Sequence, residues 1–257
     1  MFRVVIPARY ASTRLPGKPL LPLRGKPMLQ WVHEVAVASG ADEVVIATDD
    51  ERILEAATAF GAGAQLTSLT HVSGTDRIAE VSVQAGWDEH DVVVNLQGDE
   101  PLMPPELISQ VAQLLLQHES AAIATLATRI TSIGDFMNTN IVKVVTDGGG
   151  RALYFSRAPI PWGRDTAASS LSSQRSFSGA RRHIGLYAYR VSALRQLSML
   201  KNGVLEQLEK LEQLRALENG MEIRVADASA QPGPQVDTAE DLARVALLMN
   251  QAAGEAP

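Results

Sequence analysis

The sequence predicts an α/β fold: a three-layer, mostly parallel sheet with helices on both faces, joined to a smaller lobe built on a mixed sheet. Two observations carry this. Short β-branched runs alternate with segments of helical periodicity through the first part of the chain. Strands that alternate with helices pair in parallel, because each crossover returns the chain to the same end of the sheet. After about residue 122 the alternation stops, and strand-like runs follow one another with little helix between them.

Val4-Val5-Ile6 is the first buried strand, with helical periodicity near residues 28–38 behind it. Val44-Val45-Ile46-Ala47 is the next, followed by helical segments near 50–60 and 75–85. Val92-Val93-Val94-Asn95-Leu96 reads as a strand buried on both faces, and a helix at 105–117 follows it. Runs at 122–128, 141–146, 151–155 and 184–190 make the more antiparallel part. Residues 163–182, rich in Ser, Gly, Ala and Arg and without periodicity, read as a flexible loop of the kind that serves as a lid. Helical pattern returns at 204–218, and Glu222-Ile223-Arg224-Val225 is strand-like. The last helix opens on Thr238-Ala239-Glu240-Asp241, a capping box with Thr238 as cap and Asp241 at N3. The tail, 252–257, is expected to fray. These patterns divide the chain into a body of about 1–128 and 220–250 and an inserted lobe of about 129–219.

The chain has 257 residues, 46% hydrophobic and 20% charged, as one large globular α/β unit would. No apolar run approaches the roughly 20 residues that span a bilayer, and Pro7 interrupts the N-terminal run too soon for a signal peptide. The expectation is a cytoplasmic protein with no membrane partner. The absence of cysteine excludes disulfides, thiolate metal sites and cysteine nucleophiles. The five histidines have no zinc-motif spacing. A net charge of −6 argues against a nucleic-acid partner. Yet Arg3, Arg9, Arg14, Lys18, Arg24 and Lys26 all precede the first acidic residue, Glu34. A cationic segment in an acidic chain fits a local anion site, or a chance cluster on a solvated loop.

The segment Pro7-Ala8-Arg9-Tyr10-Ala11-Ser12-Thr13-Arg14-Leu15-Pro16-Gly17-Lys18-Pro19 leaves the first strand at its carboxyl end, where open α/β sheets bind ligands. Small residues such as Ala8 let backbone approach a phosphate, and Arg9, Arg14 and Lys18 would neutralise it. It is not a Walker A loop, since Pro19 follows Gly17-Lys18, and G-x-G-x-x-G is absent. The competing reading is a Pro-rich surface turn. Ser73-Gly74-Thr75 offers N–H groups and hydroxyls to a base or ribose, or simply caps a helix. Asp99, in Gln97-Gly98-Asp99-Glu100-Pro101, follows a buried strand, where it could hold Mg²⁺ on phosphate oxygens or sit solvated in a turn. Asp237 precedes the last helix, where it could also favour the helix dipole. In 206–215, at 100° per residue, Glu206, Glu209 and Gln213 share one helical face, either a set of acceptors or a solvated face with a Glu206–Lys210 pair.

The run Arg9 to Leu20 resembles the N-terminal signature of the sugar nucleotidyltransferases. The matching blocks extend from residue 3 to about 245, and together they are similar to one branch, the 3-deoxy-manno-octulosonate (Kdo) cytidylyltransferases. The resemblance implies a nucleotide-diphospho-sugar transferase fold and a reaction of CTP with Kdo that gives CMP-Kdo and pyrophosphate, for lipopolysaccharide assembly. It implies that the sugar's anomeric hydroxyl attacks the α-phosphorus in line, with no covalent enzyme intermediate. Ala8, Arg9, Arg14, Lys18, Ser73, Thr75, Arg77, Gln97 and Asp99 would bind the nucleotide. Arg14, Lys18, Asp99 and Asp237 would be catalytic, with Lys18 facing the α-phosphate and Asp99 and Asp237 holding Mg²⁺. Ala152 to Pro161 and Arg182 to Tyr189 look like the family's acceptor and dimer lobe. There Arg157 would pair with the sugar carboxylate, and His183, Tyr187, Glu209 and Gln213 would meet its hydroxyls. A homodimer is implied as well.

Three positions depart from the family pattern. Ala239 stands where Pro is usual, Asn138-Thr139-Asn140 replaces Asn-Pro-Asn, and Gly203-Val204 replaces Ser-Pro. The last two bear on acceptor identity, so an 8-amino form of Kdo, or another acidic sugar such as sialic acid, stays open. An inactive nucleotide-binding regulator would have lost Lys18, Asp99 or Asp237, and all three are present. A hydride-transferring Rossmann enzyme lacks its glycine fingerprint here.

Overall fold

A computed structural model describes residues 1–11, 14–164 and 178–254. In chain order the strands are β1 (Arg3–Ala8), β2 (Pro22–Leu23), β3 (Lys26–Pro27), β4 (Glu43–Thr48), β5 (Gly63–Leu66), β6 (Val92–Asn95), β7 (Ile123–Arg129), β8 (Lys143–Thr146), β9 (Ala152–Ser156), β10 (Arg181–Arg190) and β11 (Ile223–Asp227). The helices are α1 (Met28–Ala38), α2 (Glu51–Ala59), α3 (Gly74–Gln84), α4 (Pro105–Leu116), α5 (Ile133–Met137), α6 (Val191–Met199), α7 (Val204–Glu209), α8 (Gln213–Glu218) and α9 (Ala239–Gly254).

Among the described residues one nine-stranded sheet runs in the order β11-β7-β10-β6-β1-β4-β5, with β8 joined to β10 and β9 joined to β8. β1 is parallel to β4 and to β6, and β5 is parallel to β4. Successive side chains on a strand point to opposite faces. Val4 and Ile6 therefore pack with Leu29, Ile53 and Leu107 of α1, α2 and α4. Val5 packs with Ile78, Leu194 and Leu214 of α3, α6 and α8. These two clusters are the two interfaces of the three-layer sandwich that the alternating pattern predicted.

The strand run at 184–190 lies inside the principal sheet. β10 is antiparallel to both β6 and β7 and separates them. Its first residues, Arg181 and Arg182, also pair with β8, so the β8–β9 hairpin hangs from the same sheet. The register of β10 against β7 slips between Ile184 and Tyr187. A bulge of this kind bends a strand and re-aims its side chains. In a straight strand His183 and Tyr187 would be about 13 Å apart; here their rings lie 5.2 Å apart.

The expected helix at 204–218 is two short helices. Lys210 takes a left-handed conformation, with φ 54°, and stops α7. α9 opens on the expected capping box: Asp241 N–H donates to Thr238 Oγ1 at 3.2 Å, and Thr238 N–H donates to Asp241 Oδ2 at 3.1 Å. Val245 and Met249 of α9 pack on Leu23 and Met28, which brings the start of this C-terminal helix to the loop after β1. Of the loop expected at 163–182, residues 165–177 lie outside the described residues. Among the described residues, no helix is long and apolar enough to cross a membrane.

Candidate active site

The loop that follows β1 is closed by Gly17, whose N–H donates to Tyr10 O at 3.1 Å. Gly17 has φ 69°, and a Cβ there would lie 3.3 Å from the Tyr10 ring, so glycine is needed both for the turn and for the close approach. The turn aims Lys18 inward. Its Nζ donates to Asp99 Oδ2 at 2.7 Å, to Val236 O at 2.9 Å and to Asp237 Oδ1 at 3.4 Å. All three ammonium donors are therefore used. Arg14 Nη2 reaches the same Asp237 Oδ1 at 3.3 Å from a largely exposed position. The four residues expected to be catalytic thus meet at one point, although residue 14 and residue 237 stand at opposite ends of the chain.

Asp99 sits in the turn after β6, packed beside the end of β1. A Cβ at Gly98 would come 3.0 Å from Pro7 O, so the two turns approach this closely only through glycine. Asp99 Oδ2 takes the lysine, while Asp99 Oδ1 is buried without a partner among the described residues. Among the described residues there is no cluster of three or more His, Cys, Asp or Glu. Two carboxylates with one unspent buried oxygen nevertheless fit Mg²⁺, which keeps several waters and takes its remaining ligands from substrate phosphates.

These residues line a cavity of about 410 Å³ with Ala8, Arg9 and Gln97. Among the described residues Arg9 Nη2 has no hydrogen-bond partner. Burial, and then the charge of Arg77, hold Arg9 below the usual arginine range, but a guanidinium stays charged. A second cavity of about 320 Å³ shares Gly74 and Gln97 with the first and adds Ser73, Thr75 and Asn95. Ser73 is both cap and wall: its Oγ accepts from Asp76 N–H at 3.0 Å at the start of α3. Thr75 lines this cavity together with Tyr189 and Glu212.

A third cavity, of about 730 Å³, shares Tyr187 and Gln213 with the second and Asp237 with the first. The three form one cleft at the carboxyl ends of β1 and β6, where an open α/β sheet binds its ligands. The wall of the third cavity combines the charged side chains Arg182, Asp237, Asp241 and Arg244 with neutral polar groups at His183, Tyr187 and Gln213. Burial lowers the pKa of His183 to about 3, so its ring is neutral, with Nε2 3.0 Å from Thr125 Oγ1. Burial raises Tyr187 well above the usual phenol value. Gln213 Nε2 is buried and has no partner among the described residues. Neutral donors and acceptors of this kind suit sugar hydroxyls.

Three expected site residues are not among those lining these cavities. Arg77 is fully buried, donating from Nη2 to Asp49 Oδ2 at 2.6 Å and from Nη1 to Thr67 Oγ1 at 2.6 Å. Its positive charge is felt by Arg9, which lines the first cavity. Arg157 donates to Glu209 O at 2.7 Å and to Thr139 O at 3.0 Å. The Glu209 carboxylate accepts from Ser156 Oγ at 2.6 Å and Arg157 N–H at 2.9 Å. The break at Lys210 is the reason: Glu206, Glu209 and Gln213 do not share a face. Glu206 pairs with buried Arg215 rather than with Lys210.

Glu212, Asn95 and Tyr189 line the second cavity without having been anticipated, and Glu100 and Arg182 line the third. Burial raises the pKa of Glu212, and its Oε1 has no partner among the described residues. Asn95 carried a usable signal, as the one polar residue in the run 92–96.

A cytidylyltransferase family model matches residues 3–223. A 3-deoxy-manno-octulosonate cytidylyltransferase of Thioalkalivibrio sulfidiphilus is 55% identical over 248 residues, 96% of this chain and 98% of its own. The protein of the same name in Pseudomonas fluorescens is also 55% identical over 248 residues, with the same coverage of both chains, 96% and 98%. A solved structure described as CMP:2-keto-3-deoxy-manno-octonic acid synthetase complexed with CTP matches with a TM-score of 0.88 and 42% identity, over 98% of this chain and 100% of that one. A cytidylyltransferase of Leptospira borgpetersenii, 18% identical with a TM-score of 0.62 over 96% of this chain and 86% of its own, shares the fold.

Proposed function

This chain belongs to the cytidylyltransferase family, and on that premise we propose that it transfers CMP from CTP to Kdo, giving CMP-Kdo and pyrophosphate for lipopolysaccharide biosynthesis. The observation that carries the proposal is the convergence of Arg14, Lys18, Asp99 and Asp237 on one point of a cleft whose far wall presents the neutral polar groups of His183, Tyr187 and Gln213. A triphosphate needs the cations, and sugar hydroxyls need the neutral donors and acceptors.

In this reading Arg9, Arg14 and Lys18 hold the triphosphate, and the close approach of the turns at Pro7 and Gly98 brings backbone against it. Ser73, Thr75 and Gln97 face the nucleoside from the adjoining cavity. His183, Tyr187 and Gln213 orient the sugar so that its anomeric hydroxyl lies in line with the α-phosphorus. Attack forms the new P–O bond as the bond to pyrophosphate breaks, and the hydroxyl's proton passes to water. Lys18, released from the two aspartates by the incoming phosphates, neutralises the charge that develops. Asp99 and Asp237 would hold Mg²⁺, which supplies further positive charge at the phosphates. Positioning and electrostatics account for the catalysis, and no covalent intermediate is required.

The phosphate side is built from 1–128 and 220–250, whereas the sugar side combines residues of 129–219, such as His183, Tyr187 and Gln213, with residues of the body, such as Glu100, Gln235 and Arg244. Because β10 lies inside the principal sheet, 129–219 does not form a separate lobe. The family resemblance further supports a homodimer working in the cytoplasm. The test is pyrophosphate release with Mg²⁺, crossing four nucleoside triphosphates against Kdo, 8-amino-Kdo, sialic acid and no sugar. Release with CTP and Kdo alone is expected. CTP binding without any release would mean a regulator, and release only with another sugar would replace the acceptor.

A further inference from the structure

The proposed acceptor is an acid, so the third cavity has to receive a carboxylate. Two cationic side chains line it, Arg182 and Arg244. Arg244 is engaged, donating from Nη2 to Asp241 Oδ1 at 3.0 Å. The cations nearby are spent as well. Lys143 Nζ donates to Asn138 O at 3.0 Å, Ile141 O at 2.7 Å and Arg157 O at 2.6 Å. Arg157 would have to give up its bonds to Glu209 O and Thr139 O before it could turn to a ligand. Arg181, next to Arg182 on β10, is engaged, donating to Thr146 Oγ1 at 2.6 Å and to Asp227 Oδ1 at 3.3 Å.

Arg182 stands apart from all of these. It is exposed, it precedes His183 on the strand that walls the cavity, and it makes no side-chain hydrogen bond or ion pair with any described residue. A ligand carboxylate pairing with it breaks no existing bond among them. Its planar fork matches a carboxylate with two parallel N–H donors. We propose that Arg182, rather than Arg157, receives the acceptor's carboxylate and so selects an acidic sugar. This rests on the reading of the acceptor given above.

The experiment compares two acceptors, Kdo and its C1 carboxamide, in the full chain and in Arg182→Met, Arg182→Lys and Arg157→Met. The unaltered chain should prefer the carboxylate. Arg182→Met should lose roughly 10- to 100-fold of that preference, through the acceptor KM and with CTP affinity kept, as for loss of a charged hydrogen bond. Arg182→Lys should recover part of it. A structural defect would slow both acceptors alike and leave the preference intact. Arg182→Met with the parent's preference overturns the assignment, and so does loss of the preference in Arg157→Met alone. If the unaltered chain transfers CMP to no acidic sugar, the function itself falls and takes this assignment with it.

Discussion

Replacing Glu100 with glutamine should stabilise the chain near and above pH 7 and uncover a rise in stability between pH 4.5 and 6.5 that the parent conceals. Glu100 is buried; one of its oxygens accepts from Gln235 Nε2 and the other, Oε2, has no partner among the described residues. Burial, assisted by the charge of Asp99, raises its pKa from 4.5 to about 7. In that window the folded chain keeps a proton that the unfolded chain releases, so stability falls as pH rises, by about 1.4 kcal/mol per unit and roughly 3.4 kcal/mol in full. His183 acts with the opposite sign. Its pKa falls from 6.5 to about 3, so the unfolded chain binds a proton that the folded chain refuses. That contribution is complete above pH 6.5 and is lost as pH drops. From 4.5 to 6.5 the two slopes cancel. Glu100→Gln removes one of them, and its advantage over the parent should grow from near zero at pH 4.5 to roughly 3 kcal/mol at pH 7, or about 6–12 °C in Tm for a chain of this size. Urea unfolding at half-unit steps from pH 4.5 to 8, extrapolated to water, measures it. Parallel curves for variant and parent would refute the reasoning, because they would mean that Glu100 titrates alike in both states.

Asp99→Asn should leave the fold intact, since Oδ1 has no partner to lose and Lys18 retains Val236 O and Asp237. Pyrophosphate release should fall by at least about 10²-fold, as for removal of one preorganised charged group; near-parental turnover in Mg²⁺ would remove Asp99 from the proposed machinery. Glu206→Gln strips the carboxylate from Arg215, whose Nη2 lies 2.5 Å from it and whose side chain is only 7% exposed. A buried cation left without its partner should cost about 3–5 kcal/mol, read by denaturant unfolding, and a loss under about 1 kcal/mol would mean that Arg215 finds another acceptor.

The first half of the chain was legible because its physics is local. The β-branched runs at Val4-Val5-Ile6 and Val92 to Leu96 form buried strands, and the loop between Ala8 and Lys18 lies at a strand's carboxyl end, as its residue types required. Asp237 was harder. Its own surroundings read as a helix start, and only the resemblance to a family linked it to Asp99; the packing of Val245 and Met249 on Leu23 and Met28 is what carries it there. The second half resisted for two identifiable reasons. Helical periodicity assumes an unbroken helix, and one left-handed residue, Lys210, rotates everything after it, moving Glu209 behind the cleft and presenting Glu212 and Gln213 instead. Strand periodicity assumes a straight strand, and the irregularity between Ile184 and Tyr187 brings two rings together that alternation alone would hold apart.

The arginines make the same point in energetic terms. Arg77, Arg157 and Arg182 are one residue type, and all three stand in blocks that resemble a ligand site. What separates them is what each already binds. Arg77 is closed around Asp49 and Thr67, so freeing it would leave a carboxylate unpaired. Arg157 ties the end of β9 to the end of α7 through Glu209, so a ligand would have to compete with the fold for it. Arg182 has no such prior claim among the described residues. A hydrogen bond to a ligand strengthens binding only by the margin between it and the bonds, to protein or to water, that it displaces. For Arg77 and Arg157 the displaced bonds are part of the fold, whereas for exposed Arg182 they are bonds to water. On that criterion Arg182 is the arginine of the three that can serve a substrate at least cost to the structure.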